Sequence, residues 1–131
     1  DGVLERFPKL QGASVELGAG GVPSMLSRLD WTVEVWQKTD QSLQRLRRKP
    51  SEQLAQQFGF TPYVYENVGE LIDRSQPELY LFSSDYPHTE GGRDPIGRFR
   101  RSLDGQDERG QECFYAGNFK RIFTGLNQSI V

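Results

Sequence analysis

Apolar residues follow two different periods along this chain. From Pro23 onward, Met25, Leu26, Leu29, Val33 and Trp36 recur at spacings of three and four, which lays one apolar stripe along a helix whose first turn accommodates the proline. Ahead of that helix, "ASVEL" at 13–17 is a short strand candidate and "GAGG" at 18–21 is the loop between them. The polar, basic run "QKTDQSLQRLRRKP" at 37–50 is expected to wrap the surface, and Ser51 to cap a short helix through about Phe58. "GFTPYVY" at 59–65 holds the aromatic and β-branched residues of a second strand. Asn67 with Glu70 has capping-box spacing and predicts a helix over 68–75.

A third strand is predicted at 79–84, "LYLFSS", which lacks polar alternation and so reads as central, covered on both faces. Asp94 and Pro95 supply a cap and first turn for a helix turning Ile96, Phe99 and Leu103 inward. After the polar break "DGQDERG", the stretch "ECFYAGNFKRIFTGL" is helical again, interrupted at Gly117 and restarted by Asn118. Strand and helix thus alternate three times, the pattern that βαβ crossovers produce, so the fold class is α/β with a parallel sheet. In such sheets chemistry lies in the loops beyond the carboxyl ends of the strands. Here those loops are Glu16 to Gly21, Tyr65 to Asn67 and Ser84 to Gly92.

Composition narrows the picture. A chain of 131 residues has the size of a single segment, 1–131, with a real core. Its 18 acidic and 16 basic residues give a formal charge of −2, so no global field argues for nucleic acid or a membrane surface as partner. Apolar runs are far shorter than the ~20 residues of a membrane span. One cysteine, Cys113, excludes an internal disulfide framework and makes the cytoplasm the default compartment. The only methionine, Met25, sits inside a helical pattern, so the chain is expected to be an excised or processed piece.

The run "LYLFSSDYPHTEGG" holds the candidate chemistry. Asp85, at the tip of a buried strand, has the restrained backbone that lets a carboxylate hold a metal or take a proton. It is equally an ordinary turn former, bonding nearby backbone N–H groups. His88, the chain's single histidine, suits metal ligation or proton transfer, or is simply a loop residue. Glu16 is a ligand, a base or the N–H acceptor that organises "GAGG". Those glycines lack the spacing of a phosphate loop. The arginine-rich groups around 45–49 and 98–101 read as solvated faces, and Cys113 as core filler.

"FSSDYPHTEGGRDPIGRF" followed by "YAGNFKRIFTGL" resembles the closing signature of the family 2 amidohydrolases, the group that includes the aminocarboxymuconate-semialdehyde decarboxylase type. "LERFPKLQGASVELGAGGVPSMLSRLD" resembles the sixth strand and following helix of that family, and "RKPSEQLAQQFGFTPY" the run into its seventh, so the likeness spans nearly the whole chain in order. It implies the C-terminal portion of a (β/α)8 TIM barrel with a divalent metal, usually zinc, at the carboxyl ends of the strands. It further implies hydrolysis or non-oxidative decarboxylation of a small molecule. Asp85 then matches the strand-eight Asp that binds the metal or its activated water, with His88 in the pocket as the second catalytic candidate. Glu16 stands where many members have a histidine and becomes a candidate ligand.

A complete barrel takes about 250 residues, and the family's early metal-binding histidines have no counterpart in this chain. The resemblance therefore implies a part that needs the missing N-terminal barrel half or self-association. The contrasting reading is a non-catalytic α/β interaction domain or an inactive barrel remnant, in which Asp85 and His88 only build a turn.

Overall fold

The computed structural model describes residues 2–125. Strand β1 (Gly12–Ser14) pairs in parallel with β2 (Phe58–Phe60), Gly12 opposite Phe58 and Ser14 opposite Phe60. A further parallel bridge joins Phe60 to Tyr80, and the Leu81 N–H donates to the Phe60 carbonyl at 2.9 Å. The expected parallel α/β arrangement is thus present as a small sheet. Its strands are shorter than the sequence predicts, stopping before Val15 and Thr61.

The segment at 79–84 forms no ladder strand. Leu79 ends a 3₁₀ turn (Pro77–Leu79), and from Pro77 to Phe82 the backbone is bonded to the C-terminal helices. The Phe82 N–H donates to the Phe114 carbonyl at 3.0 Å, and the buried Asn118 amide donates to the carbonyls of Pro77 at 2.7 Å and Tyr80 at 2.9 Å. Those bonds replace a neighbouring strand on that side. The buried character read from its apolar run is nevertheless real, since Leu79, Tyr80 and Leu81 are all buried.

Helices follow local signals closely. After a short α1 (Val3–Arg6), α2 runs Val22–Trp36 with its proline in the first turn. Only Val22, Pro23 and Leu26 of α2 are buried, and Met25, Leu29 and Trp36 of the apolar stripe remain exposed. Helix α3 (Pro50–Gln57) starts at Lys49, not Ser51, because Glu52 reaches back to accept the Lys49 N–H at 3.0 Å. Ser51 instead donates its N–H and hydroxyl to Asp30 of α2, at 2.9 and 2.6 Å. The run between α2 and α3 is exposed irregular chain with one 3₁₀ turn at Leu43–Arg45, as its polarity predicts.

Helix α4 (Val68–Asp73) carries the expected cap, with the Asn67 side chain accepting the Glu70 N–H at 3.3 Å and donating to the Glu70 carboxylate at 2.9 Å. Helix α5 (Pro95–Ser102) is capped by Asp94, which accepts the Gly97 N–H at 2.8 Å. Phe99 and Leu103 are buried as expected, but Ile96 is exposed because it lies in the first turn, where nothing packs over it. Helix α6 (Glu108–Glu112) begins inside the supposed polar break, since Asp107 accepts the Gly110 N–H at 2.7 Å. A π-helical turn (Cys113–Gly117) then leads into α7 (Asn118–Ile122), so the irregularity expected at Gly117 is a widened turn in a continuing helix. The last residue of that predicted stretch, Leu126, lies outside the described residues.

Phe82, Phe99, Phe114 and Tyr115 pack edge-on and tilted with centroids 5.1–6.0 Å apart, Phe82 lying just before the loop that carries Asp85 in the chain. No helix among the described residues is long and apolar enough to cross a membrane.

Candidate metal centre

Two loops at the carboxyl ends of parallel chain segments bring Glu16, Asp85 and His88 together. Each offers one ligand atom, and the three atoms lie within 4.8 Å of one another. His88 Nδ1 is 3.2 Å from Asp85 Oδ1 and 3.5 Å from Glu16 Oε1. The cluster faces a cavity of about 410 Å³ whose lining also includes Thr61, Tyr63, Tyr65 and Glu90. Tyr63 and Tyr65 stack at 5.4 Å between ring centroids and give the cavity a flat aromatic wall.

Both carboxylate residues adopt left-handed backbone, Glu16 at φ 60° and Asp85 at φ 54°. That region is uncommon for residues with a side chain and costs on the order of 1 kcal/mol, so the surroundings must enforce it. At Glu16, Thr61 Oγ accepts the backbone N–H at 3.0 Å and the Tyr63 hydroxyl donates to the carbonyl at 2.9 Å. At Asp85, the carbonyl accepts the His88 N–H at 2.8 Å, which closes the loop through a cis Tyr86–Pro87 bond. Gly91 then packs against this loop so tightly that a Cβ there would collide with the Ser84 carbonyl and lie 3.3 Å from Asp85 Cβ. A left-handed residue in each loop thus brings a carboxylate to the cavity.

The three sequence candidates therefore converge, although Glu16 and His88 are more than half exposed and Asp85 is the most sheltered. Among the described residues the Asp85 carboxylate accepts no backbone N–H and faces His88, contrary to an ordinary turn former. Glu16 does not organise the glycine loop. That role falls to Glu66, whose carboxylate accepts the N–H groups of Ala19 at 2.9 Å, Gly20 at 2.6 Å and Tyr63 at 2.7 Å. Sequence reasoning reached the Tyr65–Asn67 loop but passed over Glu66, and the strand-end position beside the Asn67 cap was its only signal. Within the glycine loop, the N–H groups of Ala19 and Gly20 are satisfied from within the chain, consistent with the weak phosphate-loop spacing.

The arginines divide as solvated faces do, with Arg48 3.7 Å from Glu5 and Arg101 4.0 Å from Asp94, both away from the cavity. Cys113 is half-buried, and burial pushes its thiol pKa up, which opposes a nucleophilic role and matches core filler.

Two carboxylate oxygens and an imidazole nitrogen are a donor set suited to a divalent cation of the zinc type, with open positions left for water or substrate. The residues present fit such an ion: donors from both loops are already clustered, and like-charged carboxylates beside one histidine are best balanced by a cation.

No protein-family profile matches the chain, and no curated protein matches it. Among solved structures it is similar to the crystal structure of an amidohydrolase from Mycobacterium avium subsp. paratuberculosis K-10, with a TM-score of 0.71 and 30% sequence identity. The likeness covers 89% of this chain and 29% of that one, so the chain spans less than a third of that structure's length. It supports the amidohydrolase superfamily as the source of this fold, and reaches neither family 2 nor the decarboxylase type within it.

Proposed function

We propose that this chain is the C-terminal part of a metal-dependent enzyme of the amidohydrolase kind, acting on a small organic molecule by hydrolysis or non-oxidative decarboxylation. One observation carries the reading: side chains from two loops, each built around a left-handed carboxylate residue, meet within 4.8 Å beside a cavity. Likeness to an amidohydrolase over 89% of the chain supports the same reading. Glu16 and Asp85 would hold a divalent ion, zinc by the chemistry of the set, with His88 at the same point of the cavity. When bound, such an ion supplies Lewis acidity and brings the pKa of a coordinated water toward ~7.

The chain's own groups have separable tasks. Asp85, the most sheltered of the three, is placed to take a proton at its Oδ1, and His88 Nδ1, 3.2 Å away, is placed to relay it. Stacked Tyr63 and Tyr65 offer a flat surface that orients a planar substrate and displaces water from one side of the cavity. The remaining walls and ligands would come from the N-terminal part of a (β/α)8 barrel.

Metal content measured on the purified full chain and on Asp85→Ala tests the reading. About one divalent ion per chain is expected for the unaltered protein, with most of it lost in the variant. Absence of metal from both, with the upstream polypeptide restored, favours a non-catalytic α/β module instead.

A further inference from the structure

Among the described residues Glu66 is hydrogen-bonded to neither His88 nor Asp85, yet it joins the loop that follows Glu16 to the loop that carries Tyr63. Its two oxygens accept three backbone N–H groups from two separate loops, those of Ala19 and Gly20 after β1 and that of Tyr63 after β2. Gly20 permits this approach, because a Cβ at that position would lie 2.7 Å from Glu66 Oε1. We propose that Glu66 is a positioning residue for the metal centre: its carboxylate clasps the glycine loop to the β2 loop and thereby holds Glu16 within reach of His88 and Asp85. The proposal rests on the metal reading above.

Two routes lead from the clasp to Glu16. Along the chain, the glycine loop begins just beyond Glu16, so anchoring Ala19 and Gly20 limits where Glu16 can sit. Through space, Glu66 fixes the Tyr63 backbone, and the Tyr63 hydroxyl donates to the Glu16 carbonyl at 2.9 Å. The left-handed backbone of Glu16 makes this support necessary, because a residue with a side chain relaxes out of that region once it is released. Charge matters as well as shape. Three N–H dipoles converge on the carboxylate, and charge-assisted bonds of this kind are roughly twice as strong as neutral ones. A Gln of the same size replaces one acceptor oxygen with a donor and sets it against a backbone N–H.

The test uses the full chain, with zinc as the probe and a chromophoric chelator as competitor. Glu66→Gln is expected to weaken zinc binding by about tenfold or more, the range for residues that orient metal ligands through others. In a Glu16→Ala background the same change is expected to have little further effect, because the clasp acts through Glu16. Added formate is expected to restore part of the affinity of Glu66→Ala by refilling the N–H cradle. Amide hydrogen exchange reports on the clasp without metal, and Ala19, Gly20 and Tyr63 are expected to exchange faster in both Glu66 variants. Equal losses of zinc affinity with and without Glu16, or unchanged exchange at those amides, would overturn the proposal. If the unaltered chain binds no zinc, the metal reading fails, and the clasp is then judged by the exchange data alone.

Discussion

Glu16 shows how a single residue can carry a conformational cost for the sake of where its side chain points. Its φ of 60° favours glycine, and its side chain is exposed, so little packing is lost on truncation. Glu16→Gly is therefore expected to raise chain stability by about 1 kcal/mol in denaturant unfolding while weakening metal binding. A variant that loses stability instead would show that the side chain is held by contacts beyond those of its backbone. Tyr80 presents the opposite case, a buried polar group in the core whose hydroxyl bonds Ser75 and the Leu71 carbonyl. Burial pushes its phenol up to about 12 although its hydroxyl lies 2.7 Å from Ser75 Oγ, because the charged form is excluded from the core. The folded state thus holds the Tyr80 proton more tightly than the unfolded chain, whose phenol titrates near ~10. Its stabilising contribution is complete below pH ~10 and is lost as pH rises through about 12, on the order of 2 kcal/mol in all. Alkaline unfolding of Tyr80→Phe is expected to show a shallower decline across that window.

Elements are held together here by amides and carboxylates as much as by apolar faces. Buried Asn118 at the start of α7 gives its amide to the carbonyls of Pro77 and Tyr80, replacing the strand neighbour that segment 79–82 otherwise lacks. Asn118→Ala is expected to lower stability by about 2 kcal/mol, since the buried Tyr80 carbonyl and the part-buried Pro77 carbonyl lose their donor. The loss should be read from the denaturation midpoint, with Asn67→Ala at α4 as a milder comparison of about 1 kcal/mol. That comparison also separates what was legible from what was not. The Asn67 and Asp94 caps were readable because cap and target lie three residues apart, and any helix starting there uses them. Asn118 read only as a restart signal, because its partners are distant in the chain and a sequence pattern carries no sign of them. Ser51 failed as a cap for the same reason, its hydroxyl being drawn to Asp30 on another helix.

At the scale of the whole molecule, the apolar residues left outside are as informative as the core. Trp31 and Trp36 on α2, with Val15 and Leu17 beyond β1, each keep more than half of their surface exposed, and β1 pairs on one side only among the described residues. Exposed apolar area beside a free strand edge invites association. On the proposed reading, the missing barrel half covers it. The 131-residue chain alone is accordingly expected to self-associate in size-exclusion chromatography, and co-expression with an upstream barrel portion to shift it toward a defined complex. A cooperative monomer would count against this.

Sequence alone determined the starts of α2, α4 and α5, the parallel α/β class, and the loops that hold Glu16, Asp85 and His88. These follow from forces acting within a few residues: capping bonds, proline geometry and the period of apolar positions. Only the tertiary structure decided that segment 79–84 is covered by helices where a strand was expected, that Ile96 faces outward, and that Glu66 holds the glycine loop. It also brought residue 16 to residues 85 and 88. Each of those outcomes depends on groups far apart in the chain that meet only after the loops between them have closed, and burial is decided by whatever surface then arrives.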